Sequence, residues 1–268
     1  MSDRFDLIVI GAGQSGPPLA GAFAKAGKRA AVIERDHVGG TCVNRGCTPT
    51  KTMIASGRVA YLAGRASDFG VEVNEPRIDM ARIRERKREI VDMFRGGSEQ
   101  GLEEQDNIEL IRGEASFIGP RQVRVQANDG DARELTADHV LIDTGMRPRI
   151  PDVPGLDAAA YLTSTTIMEL SEVPEDLVVL GGGYIGLEFG QLFRRLGSRV
   201  TILQRRDQLL PREDADTAKA VADILSEDGI DVRLDATATG VETRDNHSVA
   251  VTFEQDGSEG GSHHTVEG

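Results

Sequence analysis

Apolar positions fall into distinct rhythms along this chain. LIVI at 7–10 and LVVL at 177–180 are short unbroken apolar runs, the pattern of short strands. Each enters a glycine cluster and then a helical pattern, LAGAFAKAGK or LEFGQLFRRLGS, closed by glycine. A second short strand follows in each case, AAVIE or VTILQ. Residues 51–66 read as a helix, and residues 79–105 as a long amphipathic one with Met80, Ile83, Ile90, Val91 and Phe94 on one stripe. Between residues 107 and 143 the period drops to two in IELI, ASFI, QVRVQA, RELTA and HVLID, with turn signals between them, which predicts a β-meander. DTGMRPRIPDVPG at 143–155 is too rich in Gly and Pro for a helix and reads as a crossover between domains, after which TSTTIMEL reads as helical. Beyond Gly229, DVRLDATATGVET and SVAVTFE return to β patterning, and QDGSEGGSHHTVEG reads as a polar tail with His263 and His264 exposed in it.

The two strand–glycine–helix units are an internal echo. DLIVIGAGQSG begins at residue 6 and DLVVLGGGYIG at residue 176, so Gly11, Gly13 and Gly16 align with Gly181, Gly183 and Gly186. The G-x-G-x-x-G spacing in this context marks a dinucleotide-binding fold. The first glycine permits the tight turn, the second lets backbone approach a pyrophosphate, and the third lets helix and strand pack closely. The helix N-terminus then offers N–H groups and a positive dipole end to phosphate. The echo also carries a contrast. Glu34 ends the second strand of the first unit, where a carboxylate binds an adenosine ribose as in FAD or NAD. Its counterpart is Gln204, followed by Arg205 and Arg206. The second unit thus lacks the carboxylate that would repel a 2′-phosphate and carries two cations that suit one, so it is expected to prefer NADPH over NADH. The plainer alternative leaves both arginines as solvated surface residues.

Composition narrows the possibilities. A chain of 268 residues can bury two ordinary cores. A net charge of -13 argues against a nucleic-acid backbone or an anionic membrane as partner. No apolar run is long enough to span a bilayer, and no signal-peptide pattern opens the sequence, so a cytoplasmic location is expected. In that compartment the 2 cysteines are poor candidates for a structural bridge. They are too few for a zinc site without histidines, and only His37 lies near, so no metal site is expected.

Both cysteines lie in GGTCVNRGCTPTK, Gly39 to Lys51. Bridging Cys42 to Cys47 requires closely spaced Cα atoms, which a continuous helix does not give at that separation. The chain between them must therefore be distorted, and Gly46 permits it. Thr48 and Pro49 suit a first helical turn. A helix N-terminus, Lys51 one turn on and Arg45 within the ring all favour a thiolate, so an easily reduced pair with at least one low-pKa thiol is expected.

Taken together, GAGQSG with Glu34, GGTCVNRGCTPTK, TGMRPRIPDVPG and GGGYIGLE resemble the pyridine nucleotide–disulfide oxidoreductases, and GCTPTK and GAGQSGPPLA look most like mercuric-reductase-like members. The resemblance covers essentially the whole chain. It implies an α/β fold with two Rossmann-like domains, FAD-binding over 1–150 with the β-meander inserted and NAD(P)H-binding over 151–268. It implies that hydride passes from NAD(P)H through FAD to a Cys42–Cys47 disulfide and on to a substrate. By this resemblance Cys47 lies against the flavin, Cys42 meets the substrate, and Lys51 sits near the reactive flavin nitrogen with Glu188 as its partner. Tyr184 is the lid that nicotinamide displaces. Gly40, Thr41, Thr144 and Gly145 contact flavin. Asp143 departs from the family, which has a small or amide residue there. Relatives extend further, with a C-terminal interface domain that makes a homodimer and supplies a His–Glu pair. The chain is therefore expected to be truncated, to bind FAD weakly alone and to turn over poorly. Mercuric ion, lipoamide, another disulfide or a quinone all remain open as acceptor. A non-catalytic flavin- or nucleotide-binding piece is the reading from another class, and a flavin monooxygenase, which needs no such cysteine pair, ranks last.

Overall fold

The computed structural model describes residues 3–74, 76–128, 130–244, 248–255 and 262–268. In chain order the elements are β1 (Asp3–Ile10), α1 (Gly16–Lys25), β2 (Ala30–Glu34), α2 (Gly40–Arg45), α3 (Cys47–Gly64), α4 (Met80–Glu103), β3 (Ile108–Gly119), β4 (Gln122–Ala127) and β5 (Ala132–Ile142). Then come β6 (Asp176–Leu180), α5 (Tyr184–Leu196), β7 (Arg199–Leu203), α6 (Ala215–Glu227), β8 (Asp231–Arg233), β9 (Ala236–Thr243), β10 (Val249–Gln255) and β11 (Ser262–Glu267). Two compact units result: residues 1–49 with 86–147, and residues 50–85 with 148–268.

In the first unit β1 pairs in parallel with β2 and with β5, and β2 pairs in parallel with β3. β3 and β5 are long because each serves two partners. β3 pairs with β2 over Ile108–Arg112 and turns to antiparallel pairing with β4 from Gly113. β5 pairs with β4 over Ala132–Thr136 and with β1 up to Ile142. The five strands thereby close into a ring. IELI and ASFI, separate in the sequence pattern, are halves of the one strand β3. Period-two geometry then divides β1 and β2 between two cores. Leu7, Val9, Ala30 and Val32 meet Ala20 of α1 and Leu102 of α4, while Ile8, Ala31 and Ile33 meet Val123, Val125 and Leu135 of the meander. Both faces are covered, which is why these strands read as unbroken apolar runs.

The second unit repeats the opening motif. β6, β7 and β8 form a parallel sheet in that order. Leu187, Phe189, Leu192, Phe193 and Leu196 of α5 bury against Val200 and Ile202 of β7 and against Met53 of α3. A separate antiparallel sheet runs β9, β10, β11 around Leu156, Val241, Val251 and Phe253.

Three expectations change. TSTTIMEL makes only one short 3-10 turn over Thr166–Glu169, whose buried faces are Ile167 and Met168. The C-terminal segment is no simple tail, because β11 pairs antiparallel with β10 and places exposed His264 in a stack on Phe253 with centroids 5.2 Å apart. The side chain of His263 lies outside the described residues. Phe94 is exposed rather than on the buried stripe of α4, which is carried by Met80, Val91 and Leu102.

Candidate functional site

The register of the first unit builds its site. Ile10 of β1 lies beside Ile142 of β5, so the turn after each strand opens at the same carboxyl edge, where ligands sit in parallel α/β sheets. Gly11 takes φ 99°, and a Cβ there would fall 2.2 Å from the carbonyl oxygen of Asp143, so only glycine fits. Gly16 packs on β1, its missing Cβ being 2.6 Å from Val9 Cγ1. The Ala12 N–H donates to Glu34 Oε2 (2.9 Å) and the Asp36 N–H to Glu34 Oε1 (2.8 Å), fixing the carboxylate beside the glycine turn.

The cysteine segment is tied to the same turn. The Gly39 N–H donates to the Ala12 carbonyl (2.8 Å), and Gln14 Nε2 donates to the Gly39 carbonyl (3.1 Å). Gly40 approaches so closely that a Cβ would sit 2.6 Å from Gly13 Cα. Gly145 lies near Thr41, with 3.4 Å between its missing Cβ and Thr41 Oγ1. Gly11, Gly13, Gly16, Glu34, Gly40, Thr41, Thr144 and Gly145 are therefore gathered around one edge. A cleft of about 550 Å³ opens there between Gly13, Gln14, Pro17 and Gly21 on one side and Gly97, Ser98 and Gly101 of α4 on the other. Its glycine-lined walls, with the Glu34 carboxylate fixed beside the same turn, fit the adenosine diphosphate half of a dinucleotide.

Helix α2 ends at Arg45, Gly46 follows it, and α3 begins at Cys47, so the required break lies between the two cysteines. Both are free thiols, Cys42 half-buried and Cys47 exposed. The Cys42 thiol is held above the ordinary range by its hydrogen bond to Cys47 and next by partial loss of water. Cys42 is therefore not the low-pKa thiol expected of the pair. The cation in the ring is already spent: Arg45 Nη2 pairs with Asp36 Oδ2 at 2.5 Å, and Asp36 also faces His37 Nε2 at 3.3 Å. Among the described residues no group of three or more His, Cys, Asp or Glu side chains is placed to hold a metal ion.

In the second unit the Lys51 ammonium pairs with the Glu188 carboxylate, joining α3 to α5. Gly181 takes φ 111°, and a Cβ on Gly186 would fall 2.2 Å from the Gly181 carbonyl oxygen, repeating the first motif. Gln204 repeats the Glu34 contact, since the Gly182 N–H donates to Gln204 Oε1 (3.3 Å). Gln204 is buried, and its amide donates to the Gln208 carbonyl (2.8 Å). Arg205 and Arg206 are exposed, and among the described residues neither has an acidic partner. Tyr184 is exposed on the first turn of α5. Gly183 and Tyr184 begin that helix as its N-cap and first residue.

Two contacts were not anticipated. The Tyr184 hydroxyl donates to Glu213, which raises the phenol pKa and ties the start of α5 to the loop after β7. The Asp143 carboxylate accepts from the Gly16 N–H at 2.9 Å. The sequence flagged Asp143 only as a departure. A carboxylate just beyond a strand that runs beside the glycine strand is the signal that would have assigned its contact.

A family model described as pyridine nucleotide–disulphide oxidoreductase matches residues 5–264. The chain is 38% identical to a mercuric reductase of Lysinibacillus sphaericus over 90% of its own length and 43% of that protein's. It is 36% identical to the probable pyridine nucleotide-disulfide oxidoreductase RclA of Escherichia coli, covering 91% of this chain and 52% of that one. With a dihydrolipoyl dehydrogenase of Bacillus subtilis the identity is 37%, over 87% and 52%. In structure it superposes on the HOCl-induced flavoprotein disulfide reductase RclA from Escherichia coli, solved as a Cu(II) complex, with a TM-score of 0.82, 34% identity and coverage of 98% of this chain and 55% of that one. The chain spans about half the length of the curated relatives it matches. The doubled glycine turn, the cysteine pair set on it and this agreement over nearly the whole chain place the protein in the pyridine nucleotide–disulphide oxidoreductase family.

Proposed function

We propose that the whole protein is a FAD-dependent NAD(P)H oxidoreductase that reduces a Cys42–Cys47 disulfide and passes the electrons to a small-molecule disulfide or metal-ion substrate. The observation that carries this reading is the cysteine pair itself. Two thiols within hydrogen-bonding reach lie on either side of a helix break, and the Gly39 backbone and the Gln14 side chain fasten the start of this segment to the first glycine turn. In this reading the first turn, Glu34, Gly40, Thr41, Thr144 and Gly145 hold FAD, and residues 1–150 act as the flavin domain. Residues 151–268 act as the coenzyme domain through Gly181, Gly183, Tyr184 and Gly186. When bound, the flavin supplies a two-electron relay between a nicotinamide and a disulfide.

The residues of the chain do the rest. Exposed Cys47 and half-buried Cys42 form the dithiol, which returns to the disulfide by giving two electrons to an oxidised substrate, its two protons going to a disulfide substrate or, with a metal ion, to water. Cys42, whose thiol stays protonated to higher pH than usual, holds one of those protons. Lys51 is oriented by its ion pair with Glu188. Arg205 and Arg206 favour NADPH over NADH, because Gln204 puts no negative charge where a 2′-phosphate would lie and is itself occupied by Gly182 and Gln208. The names of the relatives divide between mercuric reductase, RclA and dihydrolipoyl dehydrogenase, so the acceptor is left at the level of substrate class. A homodimer and a cytoplasmic location accompany this reading. No described helix is long and apolar enough to cross a membrane.

The test is an anaerobic NADPH titration of the full-length protein loaded with FAD. The expected result is a long-wavelength absorbance band that disappears in Cys47→Ser. An absence of the band in the unsubstituted protein would sink the redox-disulfide reading.

A further inference from the structure

The N-terminus of α1 is unusual for a phosphate-binding helix because its own chain has already spent the donors. The Gly16 N–H goes to Asp143 Oδ2 at 2.9 Å. The next two residues, Pro17 and Pro18, have no N–H to give. The Leu19 N–H returns to the Ser15 carbonyl at 3.3 Å. Before the helix, the Gly11 N–H is used by the Ile33 carbonyl at 2.8 Å, and the Ala12 N–H by Glu34 at 2.9 Å. Among the described residues this leaves Gly13, Gln14 and Ser15 as the turn's unspent amides. The Asp143 carboxylate lies against this turn at Gly13 and Gly16. A Cβ on Gly13 would fall 2.9 Å from Asp143 Oδ2, and one on Gly16 would fall 3.0 Å from the same oxygen. The negative charge that normally arrives with a ligand at a helix N-terminus is thus partly built in.

We propose that Asp143 is a specificity-determining residue that sets the first turn against phosphate charge. The inference rests on the flavin reading above. Repulsion between Asp143 and a diphosphate opposes binding in proportion to the charge carried. A bridging diphosphate flanked by two organic halves, as in FAD, is therefore favoured over a ligand with a terminal phosphate such as ADP, and adenosine is unaffected. The selectivity of the turn then comes from the sugar and ring contacts, Glu34 among them, rather than from phosphate alone.

The experiment compares the protein with Asp143→Asn, which keeps an oxygen acceptor for the Gly16 N–H and removes the charge. FAD affinity is read from flavin fluorescence, and ADP and adenosine are measured as competitors of FAD. The expected gains in D143N are graded: about tenfold for FAD, roughly 1.4 kcal/mol, more for ADP, and none for adenosine. An equal gain for all three ligands, or FAD binding unchanged or weakened, would overturn the proposal while leaving the flavin reading standing. Failure of both folded proteins to bind FAD at any concentration would overturn both. Should Asp143→Asn lose its circular-dichroism spectrum, Asp143→Ser, which keeps a hydroxyl acceptor, takes its place with the same graded expectation.

Discussion

The two glycine turns share a backbone and differ in charge. In each, the first glycine takes a left-handed φ, and the next residue's N–H donates to the side chain that ends the second strand: Ala12 to Glu34, Gly182 to Gln204. The first turn is ringed by carboxylates, Glu34 and Asp143, and its helix continues with two prolines. The second has an amide in place of Glu34 and two exposed arginines after β7. The glycines therefore fix only the shape of a phosphate cradle. The charge around each turn is set by residues that are outside the motif, some of them remote in sequence.

The largest effect expected from this comparison separates shape from surroundings. Gly11→Ala and Gly181→Ala impose the same strained backbone, at φ 99° and 111°, worth about 1–3 kcal/mol. Only at Gly11 does the added carbon also strike backbone, 2.2 Å from the Asp143 oxygen, while nothing lies within 4 Å at Gly181. Hydrogen exchange is expected to report a loss of roughly 3 kcal/mol or more across β1 and β5 in Gly11→Ala, and a smaller loss across β6 and β7 in Gly181→Ala. Equal losses would mean that the neighbouring carbonyl moves aside freely.

Next in size is the charge contrast. Replacing Arg205 and Arg206 together by alanine is expected to weaken NADPH binding about tenfold, roughly 1.4 kcal/mol, and to leave NADH nearly unchanged. Calorimetric titration of both coenzymes decides it, and a parallel loss of both would remove the 2′-phosphate role.

Two smaller effects concern protons. Cys47→Ala removes the main cause of the raised Cys42 pKa, so alkylation of Cys42 should begin at lower pH than in the unsubstituted protein. An unchanged profile would assign the shift to desolvation instead. Glu213→Gln should lower the Tyr184 phenol pKa, followed by ultraviolet difference titration against Tyr184→Phe. The Glu213 bond favours the protonated phenol. Any stability it adds is present below the ordinary phenol pKa and is lost as pH rises through the raised one. No movement of the titration would show that Glu213 does not hold the ring.

Much of this was legible in the chain because it depends on local patterning. The strand–glycine–helix units, the meander and the break at Gly46 all follow from periodicity, turn chemistry and the reach of a disulfide. What could not be read depends on pairing between distant segments. Asp36 lies nine residues before Arg45, yet nothing in the spacing says that it takes the charge counted toward the thiols. The Asp143 contact needs the β1–β5 register, and β11 needs a partner strand to turn a polar segment into an edge. Phe94 follows the stripe of α4 closely enough to look buried, but the neighbours that would cover it are set by tertiary packing alone.

The closed ring of the first unit also sets an order of events at the ribosome. β1 is made first, but one of its two neighbours is β5, and the acceptor for the Gly16 N–H lies 127 residues further along. At ordinary rates of synthesis that is a wait of roughly ten seconds. During it the glycine turn has β2 beside it and no Asp143. The first glycine turn is thus made well before β5 and completed only when the meander has folded back on it.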